Sequence, residues 1–140
     1  MYLTKTYFIE YAHRLQKHTG KCVNIHGHSG KIQITFSGVV HQDSGMVMDF
    51  GDFGWLEEII DSFDHALVLE EDDPWLTVIF TSEESSIKHT KLVVFDDGPP
   101  TAENICEFLQ RNIRKAKPDR LSLEAIIFEE TPGNSVGLRF

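Results

Sequence analysis

The chain has 140 residues, the size of one ordinary domain, so residues 1–140 read as a single domain able to bury its own core. Thirteen Lys and Arg against 22 Asp and Glu give a formal charge of -9, which argues against a general nucleic-acid binder, because that role needs a basic patch. No apolar run approaches the ~18 residues of a membrane span, and Met1-Tyr2-Leu3-Thr4-Lys5 has no signal-peptide core. Two cysteines, Cys22 and Cys106, make no disulfide framework. The expectation is a cytoplasmic protein with reduced thiols and neither membrane nor nucleic acid as partner. One count points at chemistry: of seven histidines, His13, His26 and His28 lie near Cys22.

In chain order, Tyr2 to Leu15 reads as a strand with Leu3, Tyr7, Ile9, Tyr11 and His13 on one face. Gln16 to Ile25 is a polar loop carrying Cys22. His26 to Val40 is a second strand whose His26, His28, Ile32, Ile34 and Phe36 share a face. Asp43-Ser44-Gly45 signals a turn. Phe53 to Phe63 has helical spacing, with Asp49 or Asp52 as cap. Leu67 to Trp75 reads as a loop. The β-like runs Thr77 to Phe80 and Lys91 to Phe95 flank a polar stretch and suggest a hairpin within an excursion at about 70–98. Thr101 should cap a helix that Pro118 stops, with Glu103 in its first turn. Leu121 to Glu130 alternates as a strand, placing Leu123, Ala125 and Ile127 opposite Ile126, Phe128 and Glu130. Ser135 to Phe140 is the last strand. Two hairpins, each beside a helix, suggest an α+β domain with one antiparallel sheet and helices on one face.

His26 and His28, one residue apart on a strand, put both imidazoles on the same face ~7 Å apart along the chain. If the first two strands pair as a hairpin, His13 arrives beside them. Three neutral imidazoles with a fourth position open form a catalytic zinc arrangement. The competing reading is surface histidines. Against it, their face continues as Ile32, Ile34 and Phe36, and buried histidines need partners. Cys22 fits a fourth zinc ligand, a thiolate activated beside the metal, or an inert small apolar residue. Asp64-His65 suggests a carboxylate orienting an imidazole for acid/base work, although such neighbours are common in loops. Glu130 shares a face with Ile126 and Phe128, so it is either paired, for instance with the N–H donors of an amino-pyrimidinone ring, or turned to solvent at the strand end.

Six stretches in order carry a resemblance: Ala12-His13-Arg14-Leu15, Cys22-Val23-Asn24-Ile25-His26-Gly27-His28, Gly45-Met46-Val47-Met48-Asp49-Phe50, Asp64-His65, Pro100-Thr101-Ala102-Glu103-Asn104 and Glu130-Thr131. Together they resemble the 6-pyruvoyl tetrahydropterin synthase family, which includes 6-carboxytetrahydropterin synthases of queuosine and deazapurine biosynthesis. The resemblance implies a T-fold, a four-stranded antiparallel sheet with two helices on one face, assembling as a barrel homotrimer or homohexamer with active sites between subunits. It implies His13, His26 and His28 as Zn2+ ligands, Cys22, Asp64 and His65 as catalytic groups, and Glu130, Thr101 and Glu103 as pterin contacts.

The substrate so implied is 7,8-dihydroneopterin triphosphate. The spacing Cys-x-x-x-His-Gly-His resembles the branch that forms 6-carboxy-5,6,7,8-tetrahydropterin and releases acetaldehyde and triphosphate. Alternatives are 6-pyruvoyl tetrahydropterin synthesis, dihydroneopterin aldolase-like activity and a zinc-stabilised pterin-binding protein. Arg14, Lys17 and Lys21 are candidates for the triphosphate. The chain departs from the family pattern at Tyr11, where a small residue is usual, at Gly30, where an aromatic is usual, at Val68, and in the length of the 70–98 stretch.

Overall fold

The computed structural model describes residues 1–96 and 98–140; Asp97, inside the expected excursion, lies outside the described residues. Strands β1 (Tyr2–His13) and β2 (His26–Ser37) pair antiparallel along their full length, from Tyr2 opposite Ser37 to His13 opposite His26. Period-two patterning produces this ribbon: Ile9, Tyr11, Ile32, Ile34 and Phe36 turn into the core, while Thr4 and Thr35 meet by their hydroxyls on the opposite, exposed face. Strand β5 (Ser122–Thr131) pairs with the other edge of β2, and β6 (Asn134–Arg139) pairs with β5.

Strict alternation misplaces one residue. Thr35 faces Ala125 but Phe36 faces Leu123, so Glu124 is skipped in a bulge. The extra residue reverses the phase, and Leu123 joins Ile126 and Phe128 in the core instead of sharing a face with Ala125.

The sheet is larger than the expected four antiparallel strands. It has six, in the order β4-β3-β1-β2-β5-β6. β3 (Ala66–Glu70) runs parallel to β1, and β4 (Leu92–Phe95) runs parallel to β3. Residues 66–70, expected as mostly loop, are a strand covered on both faces: Val68 belongs to the main core and Leu69 to a second cluster with Leu76 and Ile79. Burial on both sides replaces alternation with a continuous apolar run.

The expected hairpin is likewise a parallel crossover through α2 (Pro74–Thr81) and α3 (Ser85–Lys88). Thr77 to Phe80 looks β-like in composition but is helical. Asp73 accepts from the Trp75 N–H at 2.9 Å and Pro74 supplies the preset first turn. A parallel strand pair requires such a crossover, whereas a tight turn would make the pair antiparallel.

Helices α1 (Gly54–Asp61) and α4 (Ala102–Ala116) cover the main core, as expected; α4 lies on β5 and β6, and α1 packs against α4 and β1. Thr101 caps α4 through the Asn104 N–H at 3.3 Å. Asp49 caps the short 3-10 turn Phe50–Asp52 instead of α1, which starts at Phe53 without a side-chain cap. Among the described residues no helix is long and apolar enough to cross a membrane. Among the described residues β3 pairs only with Tyr11, Ala12 and His13 of β1, so the edge of β1 from Tyr2 to Ile9 has no strand partner there, nor does the outer edge of β6.

Gly30 is where the ribbon meets the third strand most closely. A Cβ there would stand 2.6 Å from Cε2 of the fully buried Phe128 and 3.3 Å from Ile9 Cγ1. Gly30→Ala is expected to destabilise the fold by about 1–3 kcal/mol through overpacking, measured as a lower urea midpoint at unchanged slope.

Candidate metal centre and active site

The β1–β2 register builds the centre. His13 stands directly opposite His26, and His28 pairs with Tyr11 two positions further along. The three ring centroids are 4.7, 5.0 and 4.9 Å apart, and one ligand atom from each ring lies within 4.8 Å of the others. Hydrogen bonds decide which nitrogens face inward. His13 Nδ1 donates to the Pro100 carbonyl and His26 Nδ1 to the Asn24 carbonyl, each at 2.8 Å. A carbonyl only accepts, so both Nδ1 atoms carry the proton and both Nε2 atoms hold a free lone pair. His13 Nε2 and His28 Nε2 are buried without a hydrogen-bond partner.

Burial also keeps the rings neutral. Desolvation pushes the pKa of His13 and of His28 below the ordinary imidazole value, with the Glu130 carboxylate opposing and His26 adding to the fall at both. Neutral imidazoles with buried, unpartnered lone pairs fit a divalent ion of the zinc type, and the three ligands leave a position open.

A cavity of about 490 Å³ opens on this cluster and is lined by Cys22, Thr101, Glu103 and Glu130 among others. Cys22 sits on the 3-10 turn Lys21–Val23, whose Cys22 carbonyl accepts from the Leu15 N–H at 2.8 Å. Glu130 Oε1 lies 3.7 Å from His13 Nε2 and 3.9 Å from His28 Nε2, and accepts from the Tyr11 hydroxyl at 3.1 Å. Seven of the nine residues singled out from the sequence therefore meet in one place.

Asp64 and His65 do not. They lie at the start of β3, and His65 lines a separate cavity of about 460 Å³ with Glu10, Ser29 and Thr90; His28 borders both cavities. The pair itself forms as expected: His65 Nδ1 is 2.8 Å from Asp64 Oδ2. The Glu10 N–H donates to Asp64 Oδ1 at 2.8 Å, and this bond, followed by the His65 contact, lowers the Asp64 pKa. His65 has a φ of 57°, a left-handed conformation uncommon outside glycine, and its side chain is 76 % exposed. Lys91 Nζ donates to the Asp64 carbonyl at 2.7 Å and holds the turn.

Two of the expected triphosphate cations are otherwise engaged. Arg14 Nε stands 3.0 Å from the buried Asp73 Oδ2, off the hydrogen-bonding line, and Lys17 Nζ is 3.6 Å from Asp72. The sequence reading also missed Asn134, Ser135 and Val136, which line the main cavity. Only the turn signal Gly133-Asn134 marked them, and a turn signal does not say what its residues face.

Together, the α+β fold and the open trihistidine cluster define a chain built around one candidate metal centre. The family model described as 6-pyruvoyl tetrahydropterin synthase matches residues 2–139. A Halobacterium salinarum protein named probable 6-carboxy-5,6,7,8-tetrahydropterin synthase is 32 % identical over 129 residues, covering 92 % of this chain and 80 % of that protein. The 6-carboxy-5,6,7,8-tetrahydropterin synthase of Haemophilus influenzae is 31 % identical over 135 residues, covering 93 % and 92 %. Among solved structures, an uncharacterized protein of Wolinella succinogenes superposes with a TM-score of 0.83 at 23 % identity, covering 99 % and 97 %. The 6-pyruvoyl tetrahydropterin synthase of Caenorhabditis elegans superposes at 0.69 and 21 %, covering 100 % and 95 %. The chain belongs to the 6-pyruvoyl tetrahydropterin synthase family.

The lowered imidazole pKa values set the acid stability of the metal-free protein. Unfolded imidazoles titrate near 6.5, above folded His13 and His28, so the unfolded chain takes up protons first as the pH falls. This contribution is complete above that value and is lost on descending from about pH 6.5 to the lower folded values. Thermal melts of chelator-treated protein should be flat in this respect between about pH 8 and 7 and decline below about 6.5. The decline should be shallower in His28→Asn.

Proposed function

We propose that the protein is a zinc-dependent lyase that converts 7,8-dihydroneopterin triphosphate and one water to 6-carboxy-5,6,7,8-tetrahydropterin, acetaldehyde and triphosphate, as a single domain over residues 1–140. The observation that carries this reading is the meeting of His13, His26 and His28 with Cys22 and Glu130 around one cavity, in a chain of this family. The names of the two relatives that align along most of the chain support the 6-carboxy branch. The pathway this product serves is proposed to be queuosine biosynthesis, and the compartment the cytoplasm.

His13, His26 and His28 would hold the zinc, which supplies Lewis-acid polarisation of the substrate's side-chain hydroxyls. Glu130 accepts hydrogen bonds from the N–H groups of the pterin ring and so fixes which face of the side chain meets Cys22. Thr101 and Glu103 border the ring at the start of α4. The Cys22 thiolate removes a side-chain proton. His65, held by Asp64, returns protons as a general acid. The side chain supplies the electrons that reduce the ring, so no external reductant enters.

His65, hydrogen-bonded to Asp64, borders a different cavity from Cys22 within one chain. This supports a homotrimer or homohexamer in which a neighbouring subunit brings its His65 to the Cys22 cavity. The unpaired edges of β1 and β6 are complementary for such an assembly, because edge-to-edge pairing satisfies both rows of backbone groups. Lys21, near Cys22, is the remaining sequence candidate for the triphosphate.

Protein loaded with zinc and given 7,8-dihydroneopterin triphosphate should yield acetaldehyde and 6-carboxytetrahydropterin. A 6-pyruvoyl product would overturn the branch, and binding without turnover would overturn the enzyme. Cys22→Ala should keep its zinc and lose about 10²- to 10⁴-fold in kcat, while His28→Ala should lose the zinc. Mixing Cys22→Ala with His65→Ala protomers should restore part of the activity if the two groups serve one site from different subunits.

A further inference from the structure

Tyr11 is the buried polar group beside the trihistidine cluster that the reaction scheme leaves without a task. It is 4 % exposed. Its ring is boxed by His13, His28 and Phe128, with centroids at 5.2, 5.7 and 5.9 Å. Phe128 can lie against the strands because Gly30 beneath it has no Cβ. Held this way, the Tyr11 hydroxyl points at one acceptor, Glu130 Oε1, at 3.1 Å.

The accepting oxygen is the same atom that stands 3.7 and 3.9 Å from two imidazole Nε2 atoms. A carboxylate that close to two of the three imidazoles is a candidate fourth ligand for a divalent ion, since Glu oxygens are among the ligands such metals take. A Glu used as a ligand could no longer receive a substrate ring, and the open position would be closed.

We propose that Tyr11 is a positioning residue whose hydroxyl restrains Glu130 Oε1, keeps the carboxylate off the metal, and so preserves both the open coordination position and the ring-binding carboxylate. The part concerning the ring rests on the proposed function; the part concerning the metal does not.

Tyr11→Phe removes the hydroxyl and keeps the ring, so the packing around Phe128 survives. Loaded with cobalt(II), the parent protein should bind azide at the open position and change its visible spectrum. Tyr11→Phe should lose that response and hold zinc about tenfold tighter in competition with a chelator, because Glu130 becomes a ligand. The double variant Tyr11→Phe, Glu130→Gln should return both readouts to the parent's, since an amide is a poor replacement for a carboxylate ligand. Turnover of dihydroneopterin triphosphate by Tyr11→Phe should fall in kcat/KM by about tenfold or more. An unchanged azide response and zinc affinity in Tyr11→Phe, or a gain that persists in the double variant, overturns the proposal, as does a parent protein that binds no cobalt. If the parent shows no turnover while the azide and zinc readouts follow this pattern, the assigned reaction fails and the role of Tyr11 toward the metal stands.

Discussion

The antiparallel register of β1 and β2 is the constraint on which the rest of this molecule depends. Twelve consecutive pairs run without a slip from Tyr2 opposite Ser37 to His13 opposite His26. A slip of one residue would turn the core set of one strand, either Ile9 and Tyr11 or Ile32, Ile34 and Phe36, to the exposed face and would leave His13 on the opposite side of the sheet from His26 and His28. The apolar residues thus hold the imidazoles together indirectly. The cost of misplacing several fully buried side chains far exceeds anything the histidines contribute to folding.

The same register explains how an acidic chain keeps three imidazoles together. At this end of the ribbon His13 is buried and His26 and His28 half-buried, and the Nδ1 groups of His13 and His26 donate to the carbonyls of Pro100 and Asn24. What remains is three imidazoles lining one cavity, with the Glu130 carboxylate beside them. Glu130 reaches that position because β5 pairs with β2 beyond the bulge, which sets the phase of Ile126, Phe128 and Glu130. The acidity of the chain is a property of its surface and of the segment from Glu70 to Asp73. There Arg14 and Lys17 are drawn to acids and away from the cavity.

The strands added beside β1 do more than widen the sheet. β3 pairs with β1 only at Tyr11, Ala12 and His13, so it stiffens the end that carries the histidine while leaving the rest of that edge open. Its first turn places Asp64 against the Glu10 N–H and holds His65 in a left-handed backbone with its ring outward. Those contacts hold the backbone in a costly conformation while the imidazole stays exposed.

Most strands and both core helices were legible because their patterns are local: period two in β1, β2 and β5, an apolar stripe with a Thr cap in α4. The grouping of His13, His26 and His28 was legible too, since a hairpin aligns side chains by counting. Residues 66–70 were misread as mostly loop because a strand buried on both faces carries no alternation. Residues 77–80 were misread as β-like because β-branched composition concealed a helix that Asp73 and Pro74 start. The pattern of residues could name Cys22, Glu130, Asp64 and His65 as chemical groups. It could not say that the first two share a cavity while His65 borders another, nor that the Tyr11 hydroxyl donates to Glu130. Those facts depend on contacts between residues as many as 119 positions apart. Such contacts follow from sheet order and a single bulge, and neither is written in any local stretch of the chain.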